Sequence, residues 1–424
     1  MTVEHLLTSR GHSAQARAFP AYLAGQASWF AGFGLQTALF PFIALMVVGV
    51  SAAQLGGAQT ALTAPALVLV VFGGAIAERF DRARLLVLLQ ATAAVPPAVL
   101  ATLLAMDDIT LGHLIAYALS MGAIGAVMIP TRDAALNAVA LHAGRELQNA
   151  VIIASGVQFA GQIAGLGLVA LAASTAGVGA AALLAVQSGI LVAGAIAAAR
   201  LPALPAAPGA DQRSIARQIG EGFAIVATSP VLSAMTLVMT AVGVFVVGGG
   251  FFVLLPLIIQ AVHGGDLALL GGLLLVFWTG ALIAAAALSL KGALARPGRA
   301  LLAAMASAVV SFGVLATEPP LPALGVLVFG WGAAAGVSIA MSRSIVQAAA
   351  PPEALARVLS VYQLGLLGGA PVGAAALGGV AQAFGPSLAA LAPMIGLGVA
   401  LIWLAVATPI VGLRHQAARD SVES

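Results

Sequence analysis

Two stripes of neutral polar residues interrupt long apolar runs. One is Gln26, Trp29, Phe33, Gln36 and Thr37; the other is Ser155, Gln158 and Gln162. Spacings of three and four place each set on one face of a helix. A carboxamide is costly against hydrocarbon, so these faces should turn toward a bundle interior or a water-filled cavity and offer hydrogen bonds there. Their chemistry is binding, not bond making. Met235, Met239, Trp278, Met341 and Tyr362 add adaptable apolar and aromatic contacts from the second half of the chain, although each is also an ordinary packing residue. A cavity of amides, methionines and rings without a fixed charge suits a fairly large, amphipathic, neutral or weakly charged ligand. It suits a sugar phosphate or dicarboxylate poorly, because those call for arginine in the cavity.

Other chemistry is missing. The chain has no cysteine, so thiolate metal sites and cysteine nucleophiles are excluded. Its six histidines, at 5, 12, 113, 142, 263 and 415, lie scattered at segment ends or in loops without metal-ligand spacing. No GxxxxGK[ST] phosphate loop occurs. No Asp, Glu, Lys, Arg or His falls near the middle of an apolar run, where an intramembrane hydrolase would need one. Neither metal nor cofactor is expected, and the chain does not read as an enzyme. Gly248-Gly249-Gly250 is no phosphate loop; it is expected to interrupt a membrane segment with a flexible or broken stretch.

The elements that must position these stripes follow from composition. Of 424 residues, 61% are hydrophobic and 7% charged, against roughly 25% charged in a soluble domain. Such a chain belongs in the lipid bilayer, and its basic balance does not imply nucleic acid. The apolar runs are too long and too continuous for barrel strands, so they are helices. With a window of about 20 residues they divide into twelve spans. The first six lie near 19–48, 53–77, 84–105, 110–131, 147–172 and 176–199. The second six lie near 231–261, 267–290, 300–317, 321–346, 357–382 and 387–412. A tail at 1–18 lacks the apolar core of a signal peptide, so the first span should serve as its own insertion signal. The stretch 200–230, rich in Pro, Gly and charge, reads as a linker between bundles 19–199 and 231–412, with SIARQIGEGF as a short surface helix. Residues 413–424 form a second tail.

All 17 basic residues fall on one side if both termini are cytoplasmic, while the opposite loops hold only Asp107, Asp108, Asp266 and Glu318. The positive-inside rule then fixes the orientation. Most of these cations are topology determinants.

The halves repeat weakly. MGAIGAVMIPTRDAALNAVA lies over WGAAAGVSIAMSRSIVQAAA, setting Arg132 against Arg343, and the next stretches set Arg145 against Arg357. Two bundles related in this way are the architecture of transporters that rock about a central site. Gly161-x-x-x-Gly165 and Gly369-x-x-x-Gly373 allow close helix approach in the fifth and eleventh spans.

Gly74-x-x-x-Glu78-Arg79-Phe80-Asp81-Arg82-Ala83-Arg84 resembles the G-x-x-x-D-R-x-G-R-R loop of the major facilitator superfamily. It departs in Glu78 for Asp, Asp81 for Gly and Ala83 for Arg. IPTRDAALNAVALHAGRELQNAVIIASGVQFAGQIAG and PPEALARVLSVYQLG are similar to regions of that superfamily's bacterial efflux branch, which includes macrolide and siderophore exporters. The resemblance implies an all-α membrane protein of two six-helix bundles, acting as a monomer and exporting small molecules by alternating access on proton influx. It implies a cytoplasmic gate of Gly74, Glu78, Arg79, Asp81, Arg82, Arg84, Arg132 and Asp133. In that gate Glu78 docks on the N-terminal end of the eleventh helix and Arg82 pairs with Asp133. Asp133 is also the favoured coupling group. Import of a neutral solute, or a channel-like or non-transporting protein on the same fold, are the other readings.

Overall fold

The computed structural model describes residues 3–175, 178–205, 215–291, 294–351 and 354–412. Among them there is helix and connecting loop but no strand. Eleven helical stretches are long and apolar enough to cross a membrane. The remaining expected span, 53–77, coincides with the 28-residue helix Ala52–Arg79, whose side chains are described only in part. Large apolar residues such as Leu88, Val95 and Val99 stay exposed, as a lipid-facing surface requires.

The chain packs as two compact units. Unit 1 takes residues 1–43 and 65–212. It contains α1 (Val3–Phe42), the latter part of α2 (Ala52–Arg79), α3 (Arg82–Ala105), α4 (Leu111–His142), α5 (Leu147–Thr175) and α6 (Ala180–Ala198). Within it α1 packs on α5 and α6, and α3 on α4 and α6. Small residues let α1 and α5 close. A Cβ on Gly165 would stand 2.1 Å from the carbonyl oxygen of Ala31, and one on Gly161 2.8 Å from that of Ala27. Helix begins at Val3, while the stretch apolar enough to cross a membrane runs from Arg17 to Val48.

Unit 2 takes residues 44–64 and 213–424. After α7 (Ile215–Thr228) come α8 (Pro230–Ala241), a π-helical stretch at Val242–Leu254, and α9 (Leu255–His263). Then follow α10 (Leu267–Lys291), α11 (Pro297–Leu315), α12 (Leu321–Ala349), α13 (Leu355–Phe384), α14 (Pro386–Ala389) and α15 (Leu391–Ala407). Here α13 packs on α8 and the π-helical stretch, while α12 packs on α10 and α11. The last span, expected as one run to 412, is divided between α14 and α15 and ends in a short 3₁₀ turn at Pro409–Gly412. The expected surface helix is α7, and Ser229 caps the following α8, whose first residue is Pro230.

Gly248-Gly249-Gly250 does not break its helix. The backbone runs through in π-helical form, and the missing side chains make room for neighbours. A Cβ would meet the Ala370 carbonyl at Gly248, the Leu377 side chain at Gly249 and the Phe312 ring at Gly250. The glycines are packing surfaces. A second π-helical stretch, Ile43–Val48, ends the first span. The hairpin 44–64 packs with the second half of the sequence rather than the first. Thr60 donates to the Pro371 carbonyl at 3.0 Å, and Gln59 Nε2 to that of Phe252 at 3.2 Å. A Cβ on Gly378 would lie 2.8 Å from Gly56 Cα, so α2 and α13 cross there backbone on backbone.

Candidate functional site

The residues that gather polar groups around free space lie in unit 1. A narrow cleft, with about 10 Å³ open to the centre of a water-sized sphere, is lined by Tyr22, Gln26, Trp29, Gln90, Met128 and Arg132 among others. Helix α1 contributes the first three at intervals of four and three, as the periodicity requires. Gln90 comes from α3, and Met128 and Arg132 from one face of α4.

Both carboxamides are buried, Gln26 at 6% exposure and Gln90 at 3%. Gln26 Nε2 donates to the Ala154 carbonyl at 2.6 Å, and Gln90 Nε2 to the Gly25 carbonyl at 3.3 Å. A carbonyl can only accept, so the nitrogen must face it in each case. That leaves Gln26 Oε1 and Gln90 Oε1 as buried acceptors with no donor. Gly194 makes room for the Gln90 amide, since a Cβ there would fall 1.7 Å from Oε1.

Arg132 closes one side. Its Nε and Nη2 donate to Asp133 Oδ1 at 3.3 and 3.1 Å, and its guanidinium lies 4.8 Å from the centroid of the Phe30 ring. The Tyr22 hydroxyl donates to the Arg132 carbonyl at 3.1 Å, joining α1 to α4. Arg132 is thus held by charge, ring face and backbone together. Asp133 itself is 65% exposed.

Among the expected binding residues, Gln26 and Trp29 meet in the cleft, and Arg132, expected at the gate, joins them. Gln36 and Gln162 are buried elsewhere on α1 and α5, while Phe33 and Gln158 are half-buried. Met235, Met239 and Tyr362 pack in the hydrophobic core of unit 2 with Met341, and the Tyr362 hydroxyl shares a 2.6 Å hydrogen bond with Ser342. Trp278 stands edge-on to Phe251 and Phe277. The sequence stripes did not single out Gln90 or Tyr22. Gln90 is an isolated amide in LLVLLQATAAV, and one amide makes no stripe.

In the loop after α2, Asp81 caps α3 by accepting the Arg84 N–H at 2.9 Å, and its other oxygen accepts the Leu204 N–H at 2.7 Å. Arg79 and Arg84 are exposed. The Glu78 side chain and the surroundings of Gly74 lie outside what is described. Asp133 pairs with its neighbour Arg132. Every buried polar side chain among the described residues is uncharged: six glutamines, two threonines and two serines. No group of three His, Asp or Glu side chains among the described residues could hold a metal ion.

Eleven helical stretches of membrane-spanning length among the described residues define a multi-pass membrane protein, and the polar cleft within unit 1 carries one cation, Arg132. The Major Facilitator Superfamily profile matches residues 23–374, and the chain belongs to that family. It has the corresponding fold. It is similar to a point mutant of the nucleoside transporter NupG, with a TM-score of 0.75 at 11% identity over 91% of this chain and 98% of that one. It is also similar to a bacterial homolog of the human lysosomal transporter Spinster in its inward-facing, unoccupied conformation. There the TM-score is 0.65 at 14% identity, covering 94% of this chain and 96% of that one. Comparison with curated protein sequences finds no match.

Proposed function

We propose that the protein is a secondary transporter that exports amphipathic small molecules of drug, macrolide or siderophore type by alternating access. The observation that carries this reading is the cleft of Tyr22, Gln26, Trp29, Gln90 and Arg132, in a chain whose described buried polar groups are all neutral. The one fixed charge on the cleft, Arg132, is already paired with Asp133, so apolar, weakly polar cargo meets mostly neutral groups there. The efflux preference comes from the likeness of the IPTRDAALNAVALHAGRELQ stretch to exporters.

In this reading the protein works as a monomer in the bacterial inner membrane with both termini cytoplasmic. Gly74, Glu78, Arg79, Asp81, Arg82 and Arg84 form the inner gate with Arg132 and Asp133. Glu78 docks on the N-terminal end of α13, and Arg82 takes Asp133 as its partner when the gate shuts. Protons drive export through Asp133, whose side chain is 65% exposed. Accumulation of dyes, macrolides and siderophores in cells with and without the gene tests the reading. Lower accumulation with the gene is expected; higher accumulation of one solute would make the protein an importer. That second reading has some support in the carboxamides, which suit a neutral polar solute equally well.

A further inference from the structure

We propose that the paired outer faces of α3 and α6 seat an anionic phospholipid, its phosphate held by Arg84 and Arg200 and its acyl chains lying along the two helices. The inference goes beyond the transporter reading and does not depend on it. It gives Arg84 a partner in the membrane in addition to its place in the loop after α2.

Two contacts set the register of α3 and α6. The Ser188 hydroxyl donates to the Ala94 carbonyl at 2.8 Å, and the absent side chain of Gly194 leaves room for the Gln90 amide. Going back along α3 from Ala94 to Gln90 therefore goes forward along α6 from Ser188 to Gly194, and the helices are antiparallel. About six residues further in each direction, roughly 9 Å along a helix axis, stand Arg84 and Arg200. The Arg82 N–H donates to the Leu204 carbonyl at 3.0 Å, which ties the same two ends together. Packing thus brings two guanidiniums level at one end of one helix pair.

Neither cation is answered by an acid. Both side chains are exposed, and neither forms an ion pair with another described residue. Asp81, the acid nearest to Arg84 in the sequence, has its two oxygens on the backbone N–H groups of Arg84 and Leu204.

Each arginine also ends an apolar stripe. Steps of three and four from Arg84 along α3 reach Leu88, Val95 and Ala98, all exposed; on α6 the exposed Ala185, Val192 and Ile196 lead to Arg200 at the same spacing. An apolar surface that finishes in cations matches a lipid, whose chains lie in hydrocarbon and whose charge lies at the headgroup. Charge then selects which lipid. A phosphate accepts from guanidinium forks. Phosphatidylglycerol brings that phosphate with a net negative charge, whereas phosphatidylethanolamine would bring its ammonium beside two cations.

The test titrates the full-length protein in nonionic detergent with dioleoylphosphatidylglycerol or dioleoylphosphatidylethanolamine and reads lipid occupancy by native mass spectrometry. The first phosphatidylglycerol should bind about tenfold tighter than phosphatidylethanolamine. Arg84→Gln with Arg200→Gln should weaken it about tenfold, while Arg84→Lys with Arg200→Lys should keep most of it because the charges remain. Arg296→Gln with Arg299→Gln removes as much exposed charge from unit 2 and should leave that first binding step unchanged. Phosphatidylglycerol should also raise the melting temperature of the parent more than that of the Arg84 and Arg200 glutamine pair. Equal binding of the two lipids, an equal loss in both glutamine pairs, or a lysine pair as weak as its glutamine counterpart would overturn the proposal. So would release of the lipid by millimolar glycerol 3-phosphate, which would make the site an anion pocket that needs no acyl chains. No arm reads transport, so the outcome bears on the lipid seat alone.

Discussion

Asp81 and Leu204 are joined at both ends of a small clasp. The Leu204 N–H donates to Asp81 Oδ2 at 2.7 Å, and the Arg82 N–H donates to the Leu204 carbonyl at 3.0 Å. Leu204 in turn is buried in the core of unit 1 with Ala83 and Leu86. The one acid that departs from the family's glycine in this loop therefore ties the start of α3 to the chain just after α6. The same carboxylate serves as the cap of α3.

Asp81→Gly, which restores the family pattern, should destabilise the protein. It removes both the cap and the Leu204 bond, at a cost of about 1–2 kcal/mol. Thermal unfolding in detergent should show a lower midpoint, with Asp81→Asn falling between the two because an amide oxygen still caps. An unchanged midpoint for the glycine variant would mean that the clasp contributes nothing.

Gly165 and Gly167, two residues apart on α5, should answer oppositely to alanine. At Gly165 a Cβ stands 2.1 Å from backbone of α1, so the helices must separate; at Gly167 nothing lies within 4 Å. Gly165→Ala should lower the yield of monodisperse protein in size-exclusion chromatography. Gly167→Ala should stabilise by about 0.5–1 kcal/mol through helix propensity.

The linker helix α7 is held to α13 by Glu221, which pairs with Arg357 at 2.5 Å and with Arg217 at 3.4 Å. Each partner of the Arg357 pair is only 29% exposed. A double-mutant cycle with Glu221→Gln and Arg357→Gln should give a coupling of about 0.5–1 kcal/mol after allowance for screening. Limited proteolysis should cut the α7 region faster in either variant. Equal cleavage in parent and variants would separate the ion pair from docking of the helix.

If Glu78 docks as proposed, Glu78→Gln should cut export severalfold while leaving membrane insertion and melting temperature intact, because an amide loses the charge but keeps the shape. Undiminished export would remove Glu78 from the gate. Proteoliposomes carry the coupling question: export should collapse when the pH gradient is dissipated, and indifference to the gradient would exclude protons as the driving ion.

Much of this architecture was legible in the residues because lipid imposes a severe rule. Backbone groups must be satisfied within the segment, so length and apolarity alone mark a helix, and the runs that became α3, α4, α6 and α10 needed no other information. Gln26 and Trp29 were legible for a related reason, since period 3.6 converts spacing into a shared face. Gln90 was not. An isolated amide in an apolar run reads the same whether it bonds a neighbouring helix or lines a cleft, and only α1 packed beside it shows that its nitrogen is taken and its oxygen is not.

Composition and periodicity by themselves determined that this chain is a bundle of membrane helices with neutral polar stripes, because those properties belong to single segments in a fixed solvent. Tertiary packing decided which stripes meet. It sent Met235, Met239 and Tyr362 into a core and brought Arg132 to the wall of the cleft. It set the hairpin 44–64 against the second half of the chain and turned three consecutive glycines from an expected break into a packing face. Those outcomes depend on which backbone comes within a few ångströms of which side chain, and no pattern along one strand of sequence carries that distance.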